Sequence, residues 1–194
     1  MVALTFDAGA DRGYAERILN TLRDSGVVAS FGMTGKWAES NPDLVRRMVD
    51  EGHLLFNHTY SHASFTGYSP GTAALTAAER RREIERTEAA IEAVAAVDVK
   101  PYFRPPYGDY DDATLTLLGQ LGYSHNVMWT VDSLGWKGYT AAQIVARCLD
   151  GTVPGAILLF HVGAASQDAI ALPELIRRLR ADGYSFGTVA DVLR

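Results

Sequence analysis

The chain has 194 residues, 47% of them hydrophobic, with 23 acidic against 18 basic side chains and a net charge of -5. This length suits one globular domain with a substantial core, and the charge lacks the basic excess that nucleic-acid backbones or anionic lipid surfaces select. No apolar run approaches the roughly 20 residues needed to cross a bilayer, and no charged segment followed by an apolar signal core stands at the N-terminus.

Short β-rich apolar runs alternate with helical patterns, which argues for parallel strands joined by helices. The strand candidates are 2–6, 27–33, 53–57, 101–104, 125–130, 156–160 and 185–188. Met1 abuts the first of them, as in a domain excised from a longer chain whose signal or anchor was removed. Asp11 directly precedes a helix predicted to begin near Arg12. Asn41 caps the next helix, with Pro42 at its first position and Gly52 as its stop. Residues 63–75, rich in Gly, Ser and Thr, read as a long loop. Thr76 and Glu79 form a capping-box pattern ahead of a long helix whose inner face is Ile84, Thr87, Ile91 and Val94. Thr140 and Ser166 mark two more helix starts, and Gly183 a stop. Cys148 falls in the apolar pattern of Ile144, Val145 and Leu149, and reads as a core thiol.

The side chains able to do chemistry collect just past strand ends: Asp7 and Asp11 after the first, His58 and His62 after the third, Arg104 and Tyr107 after the fourth, Asp132 and Trp136 after the fifth, His161 after the sixth. In barrels of parallel strands that end gathers the active-site loops. His58 and His62, in NHTYSH, would share one face of a helical turn at metal-ligand separation, or they are two surface histidines on one helix. Position 59 is not Glu, so the zinc-protease arrangement is excluded and a base must come from elsewhere. Asp7 is the leading candidate, because the small residues 8–10 leave the space above it open; helix capping is the other reading, and it suits Asp11 better. In FRPPYG, residues 103–108, Pro105 and Pro106 fix a rigid turn able to aim a backbone N–H. Arg104 can hold a carboxylate such as Asp7 ionised, or it is a surface residue of an ordinary turn. His161, ending AILLFH, is either a satisfied core residue or a pocket acid. Asp132, in WTVDSLGW, can keep such a histidine protonated, and Trp136 can offer a flat wall to a sugar.

Taken in order, T-F-D-x-G at Thr5–Gly9, H-T-x-x-H at His58–His62, R-x-P-Y at Arg104–Tyr107, D-x-x-x-W at Asp132–Trp136 and L-x-H at Leu159–His161 resemble the five motifs of the polysaccharide deacetylase family, also called carbohydrate esterase family 4 or the NodB homology domain. The resemblance spans essentially all of residues 1–194. It implies an α/β fold, a distorted, TIM-barrel-like (β/α) barrel of about seven parallel strands, that removes acetyl groups from N- or O-acetylated polysaccharides. It implies a divalent metal, zinc first, with cobalt, nickel or manganese as alternatives. Carried over by position, Asp7 matches the catalytic base, His161 the catalytic acid, Arg104 the residue orienting the base, and His58 and His62 metal ligands. Pro106, Tyr107 and Trp136 fall on the substrate side. A metal polarises the acetyl carbonyl and acidifies water, the base takes the proton, and the Tyr107 N–H helps hold the oxyanion. An extracellular or cell-envelope location is also implied, and a monomer is expected.

Two positions depart from the pattern. The usual T-F-D-D-G places a third metal ligand where this chain has Ala8, and a methyl group binds no metal. Either Asp11 replaces it, the reading we favour, or water does, or the metal is lost. The usual Asp before the motif tryptophan, which partners the catalytic histidine, is here Gly135; Asp132 is expected to take over. The expected substrate is peptidoglycan, slightly ahead of chitin oligomers, with acetylated xylan also open. The competing readings are a catalytically silent carbohydrate-binding domain, suggested by Ala8 and Gly135, and a hydrolase of small amides, which a narrow closed pocket would mark.

Overall fold

The first strand, β1 (Val2–Ala8), is buried along its whole length, Thr5 and Asp7 included, as befits a strand of a parallel sheet covered on both faces. The computed structural model describes residues 1–9 and 11–194; Ala10, the last small residue after Asp7, lies outside the described residues. After β1 come α1 (Ala15–Ser25), β2 (Ser30–Met33), α2 (Gly35–Ser40), α3 (Pro42–Asp50), β3 (Leu54–Asn57), α4 (Ala77–Ala95), β4 (Tyr102–Phe103) and α5 (Asp112–Gln120). The chain continues with β5 (His125–Asn126), β6 (Val131–Asp132), α6 (Ala141–Gly151), β7 (Ile157–His161), α7 (Asp168–Ala181), β8 (Phe186–Gly187) and α8 (Val189–Val192). The fold class is the expected α/β, a distorted (β/α) barrel built on parallel strands. Two compact units divide the chain: Met1–Phe31 with Arg47–Leu54 and Trp129–Arg194, and Gly32–Arg46 with Leu55–Met128.

In the first unit β1 pairs in parallel with β7, from Ala3 opposite Ile157 to Asp7 opposite His161. Its Val2 and Ala3 also pair with β8, and β7 pairs with β6. Phe6 stacks on Phe31 at 5.3 Å and on Phe160 at 5.4 Å between ring centroids. The Thr5 hydroxyl donates to the Leu158 carbonyl at 2.8 Å. Helix α7 packs against both α1 and α6. In the second unit, β4 pairs in parallel with β3 and with β5, and α4 packs against α2 and α5. The capping box of Thr76 and Glu79 opens α4, and a second box of Thr140 and Gln143 opens α6.

All seven expected strands are present, with differences at their ends. The candidate at 125–130 splits, because the Met128 N–H turns back to the Asn126 carbonyl while the Thr130 N–H has joined the Ile157 carbonyl. Asp132 therefore ends a short strand of its own, β6. Helix α1 starts at Ala15, not near Arg12, and Asp11 does not cap it: its Oδ1 accepts the Ala164 N–H at 3.0 Å. Helix α2 was not anticipated from the sequence. Space requires the glycine at position 35, as a Cβ there would stand 2.4 Å from Cδ2 of Tyr60.

Asn57, wholly buried at the end of β3, pins the segment that follows. Its Oδ1 accepts the Thr59 N–H at 2.9 Å, and its Nδ2 donates to the Ile84 carbonyl at 3.0 Å and to the Tyr123 hydroxyl at 2.8 Å. Backbone bonds from Gly35 to Thr59 and from Lys36 to Tyr60, with the Ser61 N–H and hydroxyl both donating to Glu83, complete the fastening.

Two predictions follow from this packing. Asn57→Ala strands the buried Thr59 N–H and takes one bond from the Tyr123 hydroxyl, so unfolding in urea should show a loss of about 1–3 kcal/mol, the scale for one orphaned buried group, and a loss below about 0.5 kcal/mol would show that other contacts hold the segment. The Cys148 thiol is wholly enclosed, and burial, reinforced by the nearby Asp168 charge, pushes its pKa up to about 12. A thiol reagent at pH 8 should leave the native protein unmodified and titrate one thiol once it is denatured; rapid native labelling would contradict the packing.

Candidate active site

In the second unit His58 follows β3 at once, buried, with its N–H bonded to the Met33 carbonyl. Its Nδ1 lies 2.8 Å from the Arg104 carbonyl. A carbonyl only accepts, so Nδ1 carries the proton and Nε2 keeps a lone pair, the tautomer seen in metal-bound histidines. The His62 ring stands edge-on to His58 at 4.9 Å between centroids. No helical turn makes this meeting: residues 58–62 are irregular, and Thr59 and His62 take left-handed φ values of 65° and 63°.

Arg104 is wholly buried, which removes the reading of a surface arginine on an ordinary turn. Its Nε donates to the Val127 carbonyl at 2.8 Å, and its guanidinium lies 5.0 Å from the centre of the Phe56 ring. Pro106 opens a single 3-10 turn, Pro106–Gly108, in which Tyr107 has φ 62° and ψ 0°. That conformation costs a residue with a Cβ roughly 1–2 kcal/mol, and such outliers gather at functional sites. The half-exposed Tyr107 ring meets His62 edge-on at 4.9 Å.

In the first unit Asp7 and His161 are partners across the β1–β7 pair, Asp7 buried and the His161 side chain 29% exposed. Asp132, expected beside His161, has other partners. Its Oδ1 accepts the Leu134 N–H at 2.9 Å and its Oδ2 the Trp136 indole N–H at 3.0 Å, so it shapes its own turn and fixes the orientation of the half-exposed Trp136. The carboxylate next to His161 belongs to Asp168: Oδ2 accepts the His161 backbone N–H at 2.8 Å and lies 4.0 Å from Nδ1. Burial pushes the Asp168 carboxyl above its ordinary range, opposed by the His161 N–H, the hydroxyls of Ser166 and Ser133, and the charge of His161.

Sequence reasoning passed over two of these residues. Asn57 was legible as the polar end of an apolar strand, and Asp168 as an acid seven places after His161 in HVGAASQD, but Ser166 drew attention as the helix start. The imidazoles of His58 and His62 fit a metal, since the Nδ1 of His58 is committed to a carbonyl and both are neutral nitrogen donors of the borderline kind that zinc prefers. Among the described residues, no three His, Cys, Asp or Glu side chains gather into a set able to hold a metal ion. Asp11 is exposed and engaged with the Ala164 N–H.

Comparison with known proteins joins these observations. Residues 1–125 match the family model described as polysaccharide deacetylase. A peptidoglycan-N-acetylglucosamine deacetylase of Bacillus cereus is 34% identical over 196 residues, 100% of this chain and 68% of that protein. The peptidoglycan-N-acetylmuramic acid deacetylase PdaA of Bacillus subtilis is 29% identical over 199 residues, 99% of this chain and 71% of that protein. The crystal structure of a carbohydrate esterase family 4 pseudoenzyme from Bacillus anthracis superposes with a TM-score of 0.89 at 29% identity, covering 100% of this chain and 65% of that one. With its motif residues at the strand ends and its relatives matched over nearly its full length, the chain belongs to the polysaccharide deacetylase family.

Proposed function

We propose that this protein is a metal-dependent deacetylase of N-acetylated polysaccharide, acting at the cell envelope or outside the cell, with peptidoglycan ahead of chitin oligomers. The observation that carries the reading is the His58–His62 pair with Nδ1 of His58 committed to the Arg104 carbonyl. Relatives that deacetylate the N-acetylglucosamine and N-acetylmuramic acid of peptidoglycan support the substrate class.

In this reading His58 and His62 would hold a divalent cation, zinc first among the candidates, whose chemistry when bound is to polarise the acetyl carbonyl and acidify water, and Asp11 would have to leave the Ala164 N–H to join them as third ligand. Asp7 accepts the proton of the attacking water. The Tyr107 backbone N–H, aimed by the left-handed turn at Pro106–Gly108, donates to the developing oxyanion. His161 gives a proton to the departing amine, and Trp136, held by Asp132, is a flat face for a sugar ring. A second reading, a silent carbohydrate-binding domain, draws on Ala8 in the position of a ligand and on the pseudoenzyme among the relatives.

Acetate release from peptidoglycan fragments, chitin oligomers and acetylated xylan, before and after chelation and with zinc restored, separates the two. The deacetylase reading expects chelator-sensitive release that falls by about 100-fold or more in Asp7→Asn and His58→Ala, on the scale of lost acid–base or metal-site groups. A parallel fall in Asp11→Ala supports it as the third ligand, whereas full activity there removes it from the site. No release from any substrate with any metal, alongside retained binding of the oligomers, would establish the silent domain.

A further inference from the structure

Position 135 is glycine for want of room, not for backbone freedom. Its φ is not among the left-handed ones, yet a Cβ built there would lie 2.7 Å from Oδ1 of Asp168 and 2.1 Å from Oγ of Ser166. The space that a side chain at 135 would take is filled by the Ser166 hydroxyl and the carboxylate of Asp168. In the family pattern an acid at that position partners the catalytic histidine; here an acid reaches the same space from the first residue of α7.

Asp168 faces His161 there. Its side chain is fully enclosed, while that of His161 is 29% exposed. Nδ1 of His161 is buried without a hydrogen-bond partner, and Oδ2 of Asp168 lies 4.0 Å from it. The same oxygen already holds the His161 backbone N–H at 2.8 Å. The ring therefore has Nδ1 enclosed beside a buried carboxyl group, while part of the side chain reaches solvent.

We infer that Asp168 is the positioning residue for His161, supplying from α7 the carboxylate that this chain lacks at position 135. The inference rests on the proposed role of His161 as the acid. With a carboxylate behind Nδ1, the proton of neutral imidazole sits on Nδ1, and the protonated ring presents Nε2–H at its other edge. When the tetrahedral adduct collapses, the C–N bond breaks, its electron pair stays on nitrogen, and the Nε2 proton passes to that nitrogen, so a free amine and acetic acid leave. Asp168 touches neither substrate nor water in this step; it fixes which nitrogen faces them.

The wild-type chain is assayed first for acetate release from N-acetylglucosamine oligomers, and then Asp168→Asn, which keeps the shape and loses the charge. The expected result is a fall in kcat of about 100-fold, the lower range of a general acid's contribution, with KM changed by less than about two-fold, as for an interaction made only in the transition state. Nitrogen-15 spectra above the titration of the ring, with His161 assigned by His161→Gln, report the tautomer without any turnover: Nδ1–H in the wild type and a shift toward Nε2–H in Asp168→Asn. Should Asp168→Asn fail to fold, Gly135→Ala applies the same test by pressing a methyl group on Oδ1. The triple variant Gly135→Asp, Ser166→Ala, Asp168→Ala returns the carboxylate to the other backbone position and should recover at least about ten-fold of the lost kcat. Wild-type kcat and an unchanged tautomer in folded Asp168→Asn would overturn the inference and leave the deacetylase reading intact. A wild type that releases no acetate would sink the deacetylase reading, and the tautomer would then decide the positioning by itself.

Discussion

The register of β1 against β7 is the constraint on which the first unit depends. Asp7 and His161 face one another because Phe6 faces Phe160, one residue earlier. A slip of β1 by one position would turn Asp7 to the opposite face of the sheet from His161. Parallel strands have no hairpin to fix their alignment, so packing must do it. The stacked Phe6, Phe31 and Phe160 rings, each worth about 1.5–3 kcal/mol when buried, and the bond from Thr5 to the Leu158 carbonyl hold that alignment. The apolar core of β1 and the placing of its carboxylate are thus one problem with one solution.

Each unit then uses the same device to leave a strand. Asn57 ends β3 and accepts the N–H of Thr59, two residues on; Asp132 ends β6 and accepts the N–H of Leu134, also two residues on. Both recipients adopt left-handed φ, 65° at Thr59 and 58° at Leu134. A short acceptor that bonds its own backbone two places ahead can hold a turn that a branched residue would otherwise avoid. Local side-chain chemistry offsets the roughly 1–2 kcal/mol cost of each left-handed residue. The outcome is that His58 and Trp136 project from strand ends in fixed directions.

These features mark what the sequence carried and what it hid. The motif residues, their order and their places at strand ends were legible, because compact apolar runs and the turn residues beside them show where strands stop. The capping box at Thr76 was legible for a similar reason, as local chemistry between residues three apart, and Thr140 was legible as a helix start, though not its box with Gln143. The route by which His58 meets His62 was not, because a four-residue spacing suggests a helix and nothing in NHTYSH announces two left-handed angles. The burial of Arg104 was hidden too, since enclosure is decided by elements far along the chain. Asp168 was the hardest: its meaning depends on an absent side chain 33 positions earlier, and only the filled space at Gly135 connects them.

That filled space also weighs on whether the site performs chemistry. A carboxylate 1% exposed is unfavourable by itself, and burial raises its pKa against the bond from the His161 N–H. Buried charged pairs can commonly be exchanged for apolar side chains of similar volume at no loss, or with a gain of about 1–4 kcal/mol. Glycine in place of alanine at position 135 forgoes roughly a further 0.5–1 kcal/mol of chain entropy. Binding a sugar at the half-exposed Trp136 calls for neither cost, because Asp132 already holds the indole. Both costs are accounted for if His161 must keep a proton on a chosen nitrogen, which is a requirement of proton transfer and not of sugar binding.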